Sequence, residues 1–447
     1  MAKKNQITKG DTRKRGRLKK TDNTERLGPL SPEGQVFPVV GIGASAGGLE
    51  AFESFFTNMP PDSGMAFVLI QHLDPKHKSI LSELLRRYTR MPVSEVQDGM
   101  TVEPNHVYVI PPNRNMALMN RKLHLVEATE TLGLRTPIDY FFRSLAQDLK
   151  DKAICIVLSG TGTEGAMGLR AIKGEGGMVM VQEPESAKYD GMPRSAIATG
   201  IVDYVLPPEK MPEQLIRYVR HQVSDVTAVQ PDTPRTDSSL LQRIFLIIRS
   251  QTGHDFSFYK QNTILRRIER RMAVNQITRL ADYVHHMQND PKEAVILFKD
   301  LLIGVTNFFR DREAFDALRD KVIPKLLGER LDQDPVRIWV PGCATGEEAY
   351  SIGMLCQSFM NTTGVSVPLQ IFATDIDGDA IESARLGVYP DSIAVDVPSD
   401  FLVRYFSKED GSFRVKKEIR DKVAFALQNV ITDPPFPRLT SSVVETC

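Results

Sequence analysis

Ser45 stands in a glycine-rich turn that could bind a phosphate or carry a nucleophile. The segment 41–48, GIGASAGG, lies between the apolar run VFPVV and the helix-like run LEAF. Its glycines fit the GxGxxA pattern of a phosphate cradle, whereas residues 43–47 fit the GxSxG pattern of a nucleophile elbow. A glycine turn between a strand and a helix can also be only a tight turn, so the turn alone leaves all three interpretations open.

The next predicted strand favours the nucleophile. A dinucleotide site needs an acidic residue roughly 20 residues after the glycine turn, where it binds the ribose. Residues 66–70, AFVLI, instead lead into QHLD, which places His72 at the carboxyl end of the strand. Both Ser45 and His72 then lie at the sheet edge where sites form. We interpret His72 as the general base for Ser45; the simpler alternative is a solvated loop histidine.

Glu164 completes a possible set of three catalytic side chains. Residues 153–158, AICIVL, are apolar without alternation, which is typical of a strand buried on both faces. They lead into the turn SGTGTEG and then into a helix-like run. A carboxylate on that turn could orient His72 and stabilise its imidazolium form.

These residues resemble the catalytic domain of CheB, the chemotaxis protein-glutamate methylesterase. The matching segments are GASAGG, QH, VYVIPPN, LSGTG and YDGMPRS. The resemblance covers a domain at 37–222 and implies a doubly wound, mostly parallel α/β sheet, with Ser45 as nucleophile and His72 as base. The family has an aspartate as its third catalytic residue, where this chain has Glu164. We expect the extra methylene to weaken the orientation of the base more than to abolish activity.

The chemistry that this resemblance implies is hydrolysis of methyl esters on receptor glutamates. Ser45 attacks the ester, His72 takes its proton, methanol leaves, and water cleaves the acyl-enzyme. The oxyanion needs N–H donors, which we expect from the glycine turns around Ser45 and at 160–162. The family also deamidates receptor glutamines by the same route.

Composition predicts a folded protein of two or three domains. The chain has 447 residues, 41% of them hydrophobic, and its net charge is zero. Residues 1–27 nevertheless hold ten Lys or Arg against three Asp or Glu, which predicts a disordered basic tail over 1–36 rather than a signal peptide. No apolar run approaches the ~18 residues of a membrane span. The four cysteines form no CxxC pair, so we expect a reduced, cytoplasmic protein without a structural metal.

A polar, proline-bearing segment at 223–238 predicts a linker, and a helical stretch at 239–317 follows it. One predicted helix carries four arginines within six residues: Arg266, Arg267, Arg270 and Arg271. Their i,i+4 spacing makes a basic ridge, which is either a solvated face or the binding surface for an acidic protein. Nucleic acid is disfavoured as a partner, because neither interleaved aromatic residues nor a known nucleic-acid motif accompanies the ridge.

A second glycine turn predicts a nucleoside-binding site. The β-rich run 336–340 leads into the turn PGCATGEEAYS, and the following strand, 369–373, ends with Asp375 about 30 residues after that turn. A carboxylate in this position suits ribose hydroxyls. The turn lacks both GxGxxG and the lysine of a Walker loop. S-adenosylmethionine is therefore favoured over a pyrophosphate cofactor.

Residues 238–437 resemble CheR, the receptor methyltransferase whose reaction opposes that of CheB. The matching segments are the arginine-rich helix, TNFFRD, GCATGEEAYS, ATDID, ARLGVY and the C-terminal QN and DPPF. The resemblance implies a small all-α domain at 239–317 and a Rossmann-like methyltransferase domain at 318–447. Gly304 departs from the asparagine that some relatives have at this position.

The CheR resemblance also implies roles for individual residues. Those expected to contact S-adenosylmethionine are Thr306, Arg310, Glu348 and Asp375, with Asn429 and Val430 near the adenine. The four arginines Arg266, Arg267, Arg270 and Arg271 are expected to face the methylated helices of a receptor.

The C-terminal residues depart from the CheR pattern. After DPPF the family continues with a strand resembling DLISCRNL, whereas this chain reads RLTSSVVETC. A one-base shift of a suitable coding sequence converts one ending into the other, so we interpret the last eight residues as out of frame. We therefore predict a truncated and inactive methyltransferase domain.

The sequence thus predicts a CheB–CheR fusion that acts on a methyl-accepting receptor, with a sensor kinase as a second candidate partner. A non-enzymatic scaffold with degenerate domains is the alternative, favoured by Glu164 and the altered C-terminus but not by the intact Ser45 and His72. A dinucleotide oxidoreductase is disfavoured, because His72 stands where an acidic residue is needed.

Overall fold

The computed structural model describes residues 37–71, 81–127, 135–227, 238–328, 335–437 and 439–442. Several predictions above concern residues outside these ranges: the catalytic role of His72, the basic tail at 1–36, most of the linker and the end of the segment that we interpret as out of frame. The described residues form three parts, which we call the first domain (37–227), the helical domain (238–301) and the third domain (304–442). All three belong to one compact unit, 36–447.

A seven-stranded parallel sheet forms the centre of the first domain. Its strands, with those of a smaller sheet, are β1 (Val39–Ala44), β2 (Ala66–Gln71), β3 (Val93–Glu95), β4 (Met100–Thr101), β5 (Val107–Val109), β6 (Arg114–Met119), β7 (Lys122–Glu127), β8 (Ala153–Val157), β9 (Met178–Gln182) and β10 (Tyr204–Leu206). The strand order is β10-β9-β8-β1-β2-β5-β3, and these neighbours pair in parallel. Every residue of β1, β8 and β9 is buried, as expected for continuous apolar runs between two helical layers.

Helices cover both faces of this sheet. They are α1 (Gly48–Asn58), α2 (Leu81–Leu85), α3 (Pro137–Leu149), α4 (Ala166–Gly174), α5 (Gly191–Ala198) and α6 (Met211–Thr227). Phe52 of α1 belongs to the apolar core on one side, and Phe141 of α3 to the core on the other. The predicted doubly wound α/β fold is confirmed.

The strands that follow β1 in the chain are added on both of its sides, and this change of direction creates a crevice. It passes first to β2 on one side and later to β8 on the other side of β1. Ligands of open α/β sheets bind at such a switch point, beyond the carboxyl ends of the strands. A small antiparallel sheet of order β4-β7-β6 lies elsewhere in the domain and was not predicted from the sequence.

Four helices form the helical domain: α7 (Ser238–Thr252), α8 (Gln261–Val274), α9 (Leu280–Asn289) and α10 (Pro291–Leu301). Ile244, Ile268 and Leu297 lie in their shared apolar core, which confirms the predicted all-α domain. Helix α6 continues to Thr227, so the first five residues of the predicted linker are helical. Residues 228–237 of that linker lie outside the described residues.

The third domain contains a four-stranded parallel sheet and a three-stranded antiparallel sheet. Its strands are β11 (Val336–Pro341), β12 (Leu369–Asp375), β13 (Val388–Pro390), β14 (Phe406–Glu409), β15 (Ser412–Val415), β16 (Val423–Leu427) and β17 (Ser441–Ser442). Its helices are α11 (Arg312–Ala317), α12 (Ile323–Gly328), α13 (Glu347–Thr363), α14 (Gly378–Leu386), α15 (Ser399–Tyr405) and α16 (Lys417–Arg420). The sheet orders are β16-β12-β11-β17 and β13-β15-β14.

Two residues of the segment that we interpret as out of frame form a strand. Ser441 and Ser442 pair in parallel with Ile338 and Trp339 of β11, and Thr440 N donates to Arg337 O at 2.9 Å. The departure from the CheR pattern therefore does not prevent this short segment from adding a strand to the sheet.

None of the helices in the described part of the chain combines the length and the apolar composition of a membrane span.

Candidate active sites

Ser45 follows β1 directly and stands on a sharp turn into α1. Gly47, which precedes the helix, has φ 76°, a left-handed conformation that suits glycine. A Cβ on Gly47 would also lie 2.6 Å from Ser159 Oγ. The half-buried Ser45 is therefore presented at the carboxyl end of β1 by a turn that needs glycine, which agrees with the nucleophile-elbow interpretation.

The turn after β8 is tied to the Ser45 turn. Ser45 N donates to Ser159 O at 2.9 Å, and Ser159 Oγ donates to Ala46 O at 2.9 Å. A Cβ on Gly160 would lie 3.0 Å from the Ser45 Cβ. The structure thus brings two of the predicted glycine turns together at the switch point of the sheet.

A third segment, before α5, closes this arrangement. Tyr189 N donates to Ser159 Oγ at 3.0 Å, and Gly160 N donates to Tyr189 O at 2.9 Å. Ser45 N and Gly160 N thus already donate hydrogen bonds to backbone carbonyl groups of the protein. The predicted oxyanion donors must therefore be other N–H groups of these turns.

Glu164 lies in the turn between β8 and α4 and is 7% exposed. Its Oε1 accepts a 2.6 Å hydrogen bond from Ile138 N, in the first turn of α3. A carboxylate at the N-terminal end of a helix interacts favourably with the helix dipole. The Glu164 carboxylate is therefore fixed in place by the start of α3, in the turn that neighbours the Ser45 turn.

His72 lies outside the described residues, but Gln71 before it is described. Gln71 is the last residue of β2 and pairs in register with Ala44, the last residue of β1. Gln71 Nε2 donates to Ser45 O at 3.4 Å. The role of His72 as general base stays a prediction.

Asp139, which sequence reasoning missed, is 2% exposed and lies beside Glu164. Its Oδ1 accepts from Gly168 N at 2.6 Å. Burial and the charge of Glu164 raise the pKa of Asp139 to about 7, although the Arg143 guanidinium opposes this rise. A single aspartate at a helix start carries no pattern that would have indicated it.

The third domain has its own candidate site, at the carboxyl ends of β11 and β12. Asp375 Oδ2 accepts from Ala344 N at 2.8 Å, and Asp375 Oδ1 accepts from Asp377 N at 2.9 Å. Burial raises the pKa of Asp375. These bonds fix a carboxylate beside the glycine turn, as expected for a residue that binds ribose hydroxyls.

The turn after β11 is open to solvent at Gly342. Gly342 has φ 69°, and a Cβ placed on it would meet no heavy atom within 4 Å. Glu348 follows in the first turn of α13 and is 6% exposed. The carboxylates and the open turn fit a nucleoside cofactor that lacks phosphate.

For the other predicted cofactor contacts, residues close to them in sequence lie beside this turn. Gln428 N, which precedes Asn429 and Val430, donates to Asp375 O at 3.0 Å. A Cβ on Gly304, two residues before Thr306, would lie 3.2 Å from Ala344 Cβ. The remaining predicted contact, Arg310, is exposed and donates to Val305 O. None of these placements tests contact with the cofactor itself.

The prediction that four arginines form a receptor-facing ridge does not fit the structure for three of them. Arg267, Arg270 and Arg271 are each 5% exposed, whereas Arg266 is exposed. Arg267 donates to Lys173 O at 2.7 Å and to Gly174 O at 2.6 Å. The three buried arginines lie where the helical domain packs on the first domain, so only Arg266 is available to a partner here.

Ion pairs hold the buried arginines in this interface. Arg270 pairs with Asp203 of the first domain and with Asp300 of α10. Lys173 Nζ also bonds to Asp203 Oδ1 at 2.6 Å. Burial alone would raise the pKa of Asp203, but the charges of Arg270 and Lys173 hold it well below its usual range. Sequence reasoning could not anticipate this, because the acidic partners come from distant segments.

Family models match three consecutive parts of the chain. They are CheB methylesterase over residues 40–215, the all-alpha domain of CheR methyltransferase over 239–302, and its SAM binding domain over 304–442.

Curated relatives agree with the first match. A Leptospira interrogans protein, provisionally named a protein-glutamate methylesterase/protein-glutamine glutaminase, is 32% identical over 182 residues, which are 40% of this chain and 94% of that protein. The protein-glutamate methylesterase/protein-glutamine glutaminase 4 of Burkholderia thailandensis is 33% identical over 191 residues, 42% of this chain and 56% of that protein.

One relative matches most of the chain. An uncharacterized 104.1 kDa protein of Rhodobacter capsulatus, in the hypE 3′ region, is 38% identical over 379 residues. The match covers 80% of this chain but 40% of that protein, so the chain spans less than half the length of this relative. Among solved structures, the CheB methylesterase catalytic domain of Thermotoga maritima is 32% identical and covers 41% of this chain and 98% of its own, with a TM-score of 0.39.

Proposed function

The chain belongs to the CheB methylesterase family over residues 40–215 and continues into the two domains of a CheR methyltransferase, and from this we propose that it hydrolyses glutamate methyl esters on a receptor protein. The proposed roles are those predicted from the sequence. Ser45 is the nucleophile, His72 the general base, and Glu164 the carboxylate that orients the base.

One observation supports this proposal more than any other. The 2.9 Å hydrogen bond from Ser45 N to Ser159 O joins the nucleophile elbow to the turn that carries Glu164. The bond places the two turns side by side at the switch point of the sheet, where α/β proteins bind their ligands.

In the proposed reaction, Ser45 Oγ attacks the ester carbonyl carbon while His72 takes the hydroxyl proton. That proton passes to the methoxy oxygen, and methanol leaves. Water then attacks the acyl-enzyme with His72 again as base, which releases the glutamate carboxylate, one proton and free Ser45. The net reaction consumes one water for each ester. A glutamine side chain would lose ammonia by the same steps, in line with the names of the relatives.

Glu164 can serve in place of an aspartate because its carboxylate is fixed. One of its oxygens is bound by Ile138 N at 2.6 Å. This bond removes much of the freedom that the additional methylene would otherwise give. The predicted loss of orientation is therefore small compared with the loss expected for a free glutamate.

The third domain matches a SAM binding domain, and we propose S-adenosylmethionine as its cofactor. Asp375 would bind the ribose hydroxyls, and the open face of Gly342 would accept the nucleoside. Bound there, the cofactor supplies a methyl group on a sulfonium, which is a good leaving group, for transfer to a receptor glutamate. That this domain is inactive in this chain stays a prediction, which a methyl-transfer assay tests.

The proposed partner is a methyl-accepting receptor, with Arg266 as the member of the basic ridge that is exposed to it. A sensor kinase as a second partner stays a prediction. We also propose a cytoplasmic location, because three cysteines, Cys155, Cys343 and Cys356, are free and buried in agreement with a reducing compartment.

The proposal is tested by measuring methanol release from a receptor fragment with methylated glutamates. The full chain should release methanol, and Ser45→Ala should reduce the rate to background. Arg217→Ala, on an exposed face of α6, serves as the matched control and should keep the full rate. No methanol release by the unaltered chain, or an unchanged rate in Ser45→Ala, would contradict the proposal and favour the scaffold alternative.

A further inference from the structure

Helices α3 and α4 approach unusually closely beside the Glu164 turn. A Cβ added to Gly168 of α4 would lie 2.6 Å from Phe142 Cβ and 3.1 Å from Asp139 Cα. No side chain larger than hydrogen fits between the two helices at this point. A short side chain on α3 can therefore reach the backbone of α4 directly.

Two carboxylates accept hydrogen bonds across this contact, one in each direction. Glu164, just before α4, accepts a 2.6 Å hydrogen bond from Ile138 N in the first turn of α3. Asp139, in the first turn of α3, accepts a 2.6 Å hydrogen bond from Gly168 N in the first turn of α4. Each helix thus supplies an amide to the carboxylate of the other. The segment 164–168 is fixed to α3 at both of its ends.

This reciprocal arrangement brings two acidic groups together in a buried place. Asp139 is 2% exposed and Glu164 is 7% exposed, so their mutual repulsion is poorly screened. Arg143 is four residues after Asp139 on α3, so the two side chains lie on the same face of this helix. A contact that holds Arg143 therefore also holds the helix that carries Ile138 N and Asp139.

A residue of the third domain holds Arg143. The guanidinium makes two hydrogen bonds to Asp396, Nη1 to Oδ1 at 2.6 Å and Nη2 to Oδ2 at 2.8 Å. The Asp396 side chain is 8% exposed and that of Arg143 is 25% exposed. Bidentate pairs of arginine and carboxylate that are largely desolvated have a defined geometry.

Helix α4 contacts the third domain as well. The charge of Arg170, on α4, acts on the buried Glu347 at the start of α13. A Cβ on Gly174, the last residue of α4, would lie 1.7 Å from Val305 Cγ2. The third domain therefore packs on both helices that fix Glu164.

We propose that Asp139 is a positioning residue for Glu164 in ester hydrolysis, and that Asp396 of the third domain supports it by holding Arg143. The inference rests on the proposed esterase function and extends it, since it makes the CheR-type part of the chain a contributor to the CheB-type site. Asp139 acts through the position of Glu164 and has no contact with substrate.

The first test compares Asp139→Ala with Asp139→Asn in the full chain. The asparagine keeps an oxygen that accepts from Gly168 N, whereas alanine removes it. Because small misplacements of catalytic groups cost up to 10²-fold in rate, Asp139→Ala should lower kcat on the order of 10- to 100-fold with KM within about twofold. Asp139→Asn should retain kcat within about threefold. A loss of kcat in Asp139→Ala with KM unchanged would then not be explained by a loss of overall folding.

A second test keeps the proposal falsifiable if Asp139→Ala does not fold. Asp396→Ala and Arg143→Ala should each lower the esterase kcat about three- to tenfold. The double variant should lose no more than the stronger single variant, because both act through one contact. The exposed pair formed by Arg217 and Glu213 is the matched control, and its removal should leave kcat unchanged.

The outcomes separate this inference from the proposed function. If the unaltered chain is active and Ser45→Ala is inactive, but Asp139→Ala has the unaltered kcat, the inference is wrong and the esterase function stands. Equal losses in Asp139→Ala and Asp139→Asn, or additive losses in the Arg143 and Asp396 variants, also contradict it. Inactivity of the unaltered chain contradicts the proposed function instead.

Discussion

Arg270 of the helical domain forms an ion pair with Asp203 of the first domain, and the Asp203 side chain is fully buried there. The same guanidinium bonds to Asp300 Oδ2 at 2.5 Å and to Gly177 O at 3.0 Å. A basic helix that could bind an acidic partner is thus used within the chain, to join the esterase-type domain to the methyltransferase-type domains.

We predict that Arg270→Ala destabilises the protein strongly. The substitution leaves Asp203 and Asp300 buried without their main partner, and breaking a buried pair in this way costs about 3–5 kcal/mol. Urea unfolding followed by tryptophan fluorescence measures the change. Arg279→Ala is the control, because its pair with Asp282 is exposed and contributes little. Equal midpoints for the two variants would show that the interface does not stabilise the fold.

The pKa of Asp139 predicts a specific pH dependence of stability. Its pKa is about 7 in the folded protein against an ordinary value of 3.8, so the folded state binds the proton more tightly than the unfolded state. The resulting contribution is present below pH 3.8 and is lost as the pH rises through 7. Asp139→Asn removes this dependence, and its stability relative to the unaltered protein should improve between pH 5 and pH 8, by about 3 kcal/mol at most.

Chemical unfolding of both proteins at pH 5, 6, 7 and 8 measures this effect. Asp203 does not interfere in that range. Its pKa is lowered in the folded state, so its contribution is lost only in more acidic solution, as the pH falls below the ordinary aspartate value. A stability difference that is constant from pH 5 to pH 8 would contradict the predicted protonation of Asp139.

The charge of Glu164 should be essential for the esterase rate, but not for folding. Glu164→Gln keeps an oxygen that accepts from Ile138 N and removes the negative charge that stabilises the imidazolium. In a serine hydrolase, the corresponding loss lowers kcat by up to about 10⁴-fold, and we expect a decrease on the order of 10²- to 10⁴-fold here. An unchanged unfolding midpoint is the control for structure. A variant with the full rate would exclude Glu164 from the catalytic set.

Asp375 should determine cofactor affinity in the third domain. Hydrogen bonds to a charged group contribute about 1.5–3 kcal/mol each, so Asp375→Ala should weaken binding of S-adenosylmethionine about 10- to 100-fold. Isothermal titration of the full chain measures this directly. Asp379→Ala is the matched control, since that carboxylate is exposed and bonds to Lys299. Equal affinities for both variants would place the cofactor elsewhere.

Local sequence patterns were sufficient to predict the strands and turns around both sites. Strands β2 and β8 lie where continuous apolar runs indicated them, because burial between two layers requires such runs. The elbow at Ser45 follows from glycines next to a strand end. These features depend on neighbours in sequence, which is why one chain was enough to predict them.

The remaining features depend on contacts between distant segments. The burial of Arg270 is decided by Asp203, which lies 67 residues away in sequence. Asp139 matters because α4 crosses α3 at Gly168, and no local pattern encodes that crossing. Charge patterning by default predicts a ridge that is exposed to solvent or binds a partner. Arg267, Arg270 and Arg271 are instead buried, because the helical domain packs on the first domain.

A covalent acyl-enzyme on Ser45 would be the most direct evidence for the proposed ester hydrolysis. The full chain is mixed with a methylated receptor fragment, quenched in acid within the first turnover, digested and examined by mass spectrometry. If Ser45 is the nucleophile, the peptide containing Ser45 gains the mass of the acylating fragment while methanol is released in equal amount, and Ser45→Ala shows neither. Methanol release without modification of Ser45, or with the same rate in Ser45→Ala, would exclude Ser45 as the nucleophile.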